Sequence, residues 1–275
     1  MTDKIFFFHN PKAGGYSLRR VFETHFRTEK QCPIIENDKV GHERLRGDYA
    51  HFRGYDYYAG HYGHDIFDMV NEGHRCVTNF RNPLRRLISL YNFFRFNVKL
   101  PEEELRTERF RAVAFAKSVS FEEFVSSNDP NVDVYLRNPH FRQLANSCWD
   151  LETTKEIDEV HRFVDEMPLY YVCEYPEMSI AWLRRAFDWN LSHLPIENVT
   201  RIQSDQAADL ATLDDRIWNV ILAKNDLDFA LYRYAVDRFL SRVTAHPIEL
   251  RNIIQRRTRS VVQPPAERRS VSHGL

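Results

Sequence analysis

The stretch Lys4–Arg20, KIFFFHNPKAGGYSLRR, decides the fold. Ile5, Phe6, Phe7 and Phe8 form an unbroken apolar run, the signature of a strand covered on both faces in a parallel sheet. Gly14 and Gly15 then turn the backbone at little steric cost and let its N–H groups approach a ligand. From Ser17 to Phe26 the spacing is helical, with Leu18, Val21, Phe22 and Phe26 on one face. A strand, a glycine turn carrying Lys12 and a helix N-terminus together make an anion site, because amides, helix dipole and ammonium all favour negative charge. The plainer alternative is an ordinary strand–helix turn. A Walker A loop has its lysine after the glycines and a hydroxyl for magnesium. Here Lys12 precedes Gly14-Gly15, so ATP–magnesium chemistry is not the first reading.

Working outward, the 275 residues allow one sizeable domain, and 43% hydrophobic content is ample for its core. The reading places this domain over residues 1–245, followed by a basic, mobile tail over 246–275. With 38 Lys and Arg against 39 Asp and Glu, the formal net charge is −1, which gives no overall bias towards nucleic acid or a membrane surface. No apolar span is long enough for a transmembrane segment, and the first strand follows the first residues at once, so a cytoplasmic protein is expected. Cys32, Cys76, Cys148 and Cys173 lack CxxC spacing and read as reduced thiols with no metal site.

Two further stretches carry chemistry. Around His51–Asp65, HFRGYDYYAGHYGHD, Tyr57-Tyr58-Ala59 reads as a short strand ending at Gly60, with His61 just beyond its carboxyl end, the edge where open α/β sheets bind ligands. An imidazole there needs little pKa adjustment to act as a general base. His64 is its neighbour, read as a substrate contact or as the cap of a short helix over 65–70, and Tyr58 belongs to the same aromatic wall. In HRCVTNFRNPLRRLISLYNFF (74–94) a strand over Arg75–Phe80 runs into a helix opened by Asn82-Pro83, with Leu84, Leu87, Ile88 and Tyr91 inward. Arg81 sits at the turn and offers a guanidinium fork to a phosphate, and Ser89, two helical turns on, adds a hydroxyl. The plainer readings are an arginine paired with an acid for Arg81 and a solvated helix face for Arg85 and Arg86.

These motifs, HNPKAGGYSL, the Gly60-His61 pair and Arg81-x-Pro83-x-x-Arg86-x-x-Ser89-x-Tyr91, resemble those of sulfotransferases that use 3′-phosphoadenosine 5′-phosphosulfate (PAPS), especially the Golgi carbohydrate sulfotransferases. The usual loop there is HxPKTGGTSL, so this chain departs from it at Ala13 and Tyr16, and Asn82 stands where Asp is common. The resemblance implies a P-loop-NTPase-like three-layer α/β fold with a mainly parallel sheet flanked by helices. It also implies in-line transfer of a sulfuryl group from PAPS to a carbohydrate hydroxyl, with PAP (adenosine 3′,5′-bisphosphate) as product and no metal. Residues Lys12, Ala13, Gly14, Gly15, Tyr16 and Ser17 would hold the phosphosulfate, Arg81 and Ser89 the 3′-phosphate, and His61 would be the base.

The remaining chain reads as helices interrupted by turns. A capping box at Ser120–Glu123 opens a helix to Ser127, and Asp129-Pro130-Asn131 breaks it. Residues 138–147 read as a short surface helix in which Arg142 and Gln143 are candidate acceptor contacts. An amphipathic helix over 154–167 leads to a strand over 169–173 and Glu174, which either orients a site group or serves as a helix N-terminal carboxylate. Two helices, over 213–224 and 226–243, close the domain, and a loop at Asn198–Arg201 resembles a cofactor-proximal family segment. Two other functions fit the sequence less well: a P-loop-like ATP-dependent kinase and a non-catalytic protein that binds anionic ligands.

Overall fold

The computed structural model describes residues 4–33, 39–153, 155–189, 208 and 213–245. The Asn198–Arg201 loop and the basic tail from His246 lie outside these.

Four strands, β1 (Ile5–Phe8), β2 (Tyr57–Gly60), β3 (Arg75–Phe80) and β4 (Leu169–Val172), form one sheet in the order β2-β1-β3-β4. All pairings are parallel, with Phe8 opposite Gly60 and Thr78, and Phe80 opposite Val172. The helices that shape the molecule follow in chain order: α1 (Gly15–Glu23), α2 (Lys39–Gly47), α3 (His64–Val70), α4 (Pro83–Asn92), α5 (Glu102–Leu105), α6 (Arg111–Ser118), α7 (Phe121–Ser126), α8 (Pro130–Leu136), α9 (Pro139–Ala145), α10 (Ile157–Glu166), α11 (Pro176–Phe187), α12 (Asp215–Lys224) and α13 (Asp226–Thr244). The result is a three-layer α/β arrangement, as the motif resemblance implies, around the parallel sheet that the apolar run of β1 implies.

The pleat divides the core. Phe6 and Phe8 join Tyr58, Phe80, Tyr170 and Val172 on the face covered by α3, α9, α10 and α13. Ile5 and Phe7 join Tyr57, Val77, Leu169 and Tyr171 on the face covered by α1 and α11. Each fully buried phenylalanine contributes about 1.5–3 kcal/mol through the water it sheds. A third cluster, built on Leu84, Leu87 and Tyr91 of α4, packs α6, α7, α8 and α12 beside the sheet.

Local chemistry explains the helix starts. Asn82 accepts from the amides of Leu84 and Arg85 with Pro83 in the first turn, and Ser120 and Glu123 close a reciprocal capping box. Three sequence expectations need correction. Helix α1 ends at Glu23, three residues before Phe26. Asp129-Pro130 ends α7 and also opens α8, because Asp129 accepts from the Asn131 amide and proline suits a first turn. Helix α9 is buried along its whole length. Its two polar candidates are core residues: Arg142 donates to the carbonyls of Arg137, Val134, Cys148 and Asp150. Gln143 donates to the carbonyls of Tyr62 and His9 at 2.9 and 3.4 Å.

All four cysteines are free thiols. Among the described residues no helix is long and apolar enough to cross a membrane.

Candidate active site

The order β2-β1-β3 means the chain leaves β1 to one side for β2 and returns to the other for β3. That reversal puts a crevice at the carboxyl end of β1. The loop His9–Gly14, the candidate anion loop, follows β1 there. His9 continues the ladder by donating its amide to the Gly60 carbonyl at 3.0 Å. Lys12 and Gly14 then adopt left-handed backbone conformations, with φ of 64° and 77°. A non-glycine residue accepts such a φ only when its surroundings enforce it.

The enforcement comes from β3. Asn79, fully buried, accepts from the Asn10 amide at 2.8 Å and donates to the carbonyls of Asn10 and Ala13 at 2.9 and 3.0 Å. Arg81 donates through Nη1 to the Lys12 carbonyl at 2.8 Å. Glu174, just past β4, accepts from the Asn82 amide at 3.0 Å and so pins the turn that carries Arg81. It therefore serves as a carboxylate at the N-terminus of α4, not of its own following helix.

The loop feeds α1 without a side-chain cap, since Gly14 occupies the N-cap position. Its first-turn amides thus carry no side-chain acceptor at that position. Gly15 permits no side chain: a Cβ there would lie 2.3 Å from His9 Cδ2 and 2.8 Å from Asn79 Nδ2. Ala13 is fully buried, so it offers a ligand backbone only. Tyr16 is exposed, with the guanidinium groups of Arg19 and Arg20 5.9 and 6.0 Å from its ring, and Ser17 follows it in the first turn.

Lys12 is the cation of this loop. Its Nζ lies 3.8 Å from the centroid of the Phe93 ring. Burial, aided by the Arg81 charge, pulls its pKa down to about 8. Ser89 lies one helical turn before Phe93 and so shares its side of α4.

His61 stands beside the loop, one residue past β2. Its ring packs edge-to-face on His9, with centroids 5.3 Å apart, and tilts towards Trp149 at 6.4 Å. The His61 carbonyl accepts from Cys148 Sγ at 3.3 Å. His9 is buried, its Nδ1 has no hydrogen-bond partner, and burial followed by the His61, Arg19 and Lys12 charges holds its pKa well below the ordinary value. It is therefore a neutral imidazole in contact with His61.

The structure thus brings Lys12, Ala13, Gly14, Gly15, Tyr16, Ser17, Arg81, Ser89 and His61 to one end of the sheet. It puts three other candidates elsewhere. Tyr58 is buried at mid-strand and donates its hydroxyl to the Phe52 carbonyl at 2.5 Å. His64 lies on the opposite face of the sheet, 4.6 Å from the Phe163 ring and 6.2 Å from Phe8, where burial lowers its pKa. Arg142 is enclosed by its four carbonyls. Sequence reasoning missed His9, Asn79, Phe93 and Trp149. Asn79 left a signal, a fully buried amide beside Thr78 in β3, and His9 stood inside the motif itself. Phe93 and Trp149 carry no local mark.

Among the described residues no group of three or more His, Cys, Asp or Glu side chains is arranged to hold a metal ion. No model of a known protein family matches the chain. It is similar to a heparin sulfate O-sulfotransferase of Drosophila melanogaster, 26% identical over 200 residues that cover 66% of this chain and 54% of the fly protein, so that the match spans about half the length of that relative.

Proposed function

We propose that this protein is a sulfotransferase that moves a sulfuryl group from PAPS to a carbohydrate hydroxyl. The observation that carries the proposal is the hydrogen bond from Arg81 to the Lys12 carbonyl. It ties two phosphate-binding strand–turn–helix units into one clamp, with His61 beside it. The fly relative's name points the same way, towards O-sulfation of a carbohydrate.

The residues fit such a donor. The cradle at Gly15 excludes even a methyl group, the first turn of α1 has no side-chain cap, and Lys12 has no carboxylate within ion-pair distance among the described residues. When bound, PAPS supplies an activated sulfuryl group between a phosphate and the acceptor. Lys12 and the α1 amides would hold the 5′ end and stabilise the negative charge that grows on the phosphate oxygen as it leaves. Arg81, with its remaining donors, and Ser89 would hold the 3′-phosphate. An imidazole nitrogen of His61 would take the proton from the attacking hydroxyl. His9 helps this step by staying neutral, because a second cation 5.3 Å away would oppose protonation of His61.

Calorimetry with adenosine 3′,5′-bisphosphate tests the clamp. The wild type binds it in the absence of magnesium, and Lys12→Ala and Arg81→Ala each weaken it at least tenfold. Binding of ATP–magnesium in preference to the bisphosphate would contradict the proposal.

A further inference from the structure

We infer that Phe93 is a positioning residue for Lys12: its ring face seats the lysine ammonium group beside the anion loop. The inference rests on the reading of Lys12 as the anion-binding cation, and adds a residue to which no role has been given.

The surroundings of Lys12 explain why an aromatic face is needed. From β1 it is faced by His9, and from the β3–α4 turn by Arg81, so its charged neighbours are cationic or neutral. No carboxylate among the described residues lies within 4 Å to compensate. The negative face of the Phe93 ring, 3.8 Å from Nζ, fills that place. An aliphatic side chain of similar volume would fill the space without supplying the charge.

A second, independent observation concerns the backbone. At Phe93 the α4 helix passes into a π-helical turn, Phe93–Asn97. Single π-helical turns of this kind are frequent at functional sites. Here Phe94 is buried in the helical core, while Phe93 packs at the edge of that core with its ring 3.8 Å from Lys12 Nζ. The turn is braced from behind: Arg95 donates to the carbonyls of Ala116, Lys117 and Val119 at 2.9, 3.2 and 2.7 Å, and Lys117 Nζ returns a bond to the Arg95 carbonyl at 3.1 Å. The turn that begins at Phe93 is therefore tied through Arg95 to the C-terminal end of α6.

The test follows the titration of Lys12 by NMR of protein labelled at the lysine ε-carbons, with its resonance assigned through Lys12→Arg. In Phe93→Leu the midpoint moves down by roughly 0.4–1.5 pH units, the shift equivalent to losing one cation–π contact. Phe93→Tyr, which keeps the ring, stays at the wild-type midpoint. Affinity for adenosine 3′,5′-bisphosphate at neutral pH falls roughly 2- to 30-fold in Phe93→Leu and is retained in Phe93→Tyr. Should Phe93→Leu not fold, as judged by circular dichroism, Phe93→Met takes its place with the same expected shift. An unchanged Lys12 midpoint in a folded aliphatic variant would overturn the inference, as would a Phe93→Tyr variant that behaves like it. Because the titration needs no ligand, a wild type that fails to bind the bisphosphate yet shows the Phe93-dependent shift would sink the proposed function and leave this inference standing.

Discussion

Lys12 combines an unusual backbone, a lowered pKa and an aromatic partner, and each has a separate cause in the residues around it. With its pKa near 8, the ammonium is charged below that value and is lost as pH rises through it. Bisphosphate affinity should therefore hold between pH 6.5 and 7.5 and weaken progressively above about pH 8, while Lys12→Arg, which stays charged, should remove that alkaline limb. Calorimetric titrations across the range check both. His140 makes the opposite kind of statement. It is buried against Thr78 at 3.1 Å, and burial lowers its pKa from 6.5 to about 3. Below pH 6.5 the unfolded chain takes up a proton that the folded chain refuses until about pH 3. Its contribution therefore costs stability as pH falls through that window, by up to about 1.4 kcal/mol per pH unit. Urea unfolding of His140→Gln between pH 4 and 7 should show a shallower loss than the wild type.

At the scale of elements, the loop His9–Gly14 depends on β3 as much as on its own glycines. Gly15→Ala would push a methyl group into His9 and Asn79, both buried. It is expected to cost about 1–3 kcal/mol by overpacking, and to weaken bisphosphate binding as His9 and the loop shift. Denaturation midpoints and calorimetry on the one variant separate the two effects. Much of this was legible from sequence. The run at Ile5–Phe8 is apolar because both sheet faces are covered, Arg75–Phe80 reads as a strand by its alternation, and Asn82-Pro83 announces a helix by chemistry confined to neighbouring residues. Helix α9 was legible as a helix but its burial was not, because Arg142 and Gln143 look like surface residues until carbonyls elsewhere in the fold supply their acceptors. The same holds for Trp149 and Phe93, whose places beside His61 and Lys12 arise only when separate segments pack together.

For the whole molecule, the strand order β2-β1-β3-β4 matters more than any single motif. It sets His61 and Arg81 just past the two neighbours of β1, so that the proposed base and the proposed second phosphate site flank the loop that carries Lys12. The chain beyond α4 then brings Phe93 against Lys12 at the same end, with Ser89 one helical turn before it. A two-ended clamp with an imidazole alongside suits a donor with phosphate at both ends and an acceptor that must lose a proton. The most direct test is mass spectrometry of heparan-type oligosaccharides incubated with PAPS and the protein. The account predicts products heavier by one sulfate with the wild type, and their loss with His61→Ala and Lys12→Ala. Sulfated product formed at an undiminished rate by folded His61→Ala, or none from the wild type although it binds the bisphosphate, would contradict it.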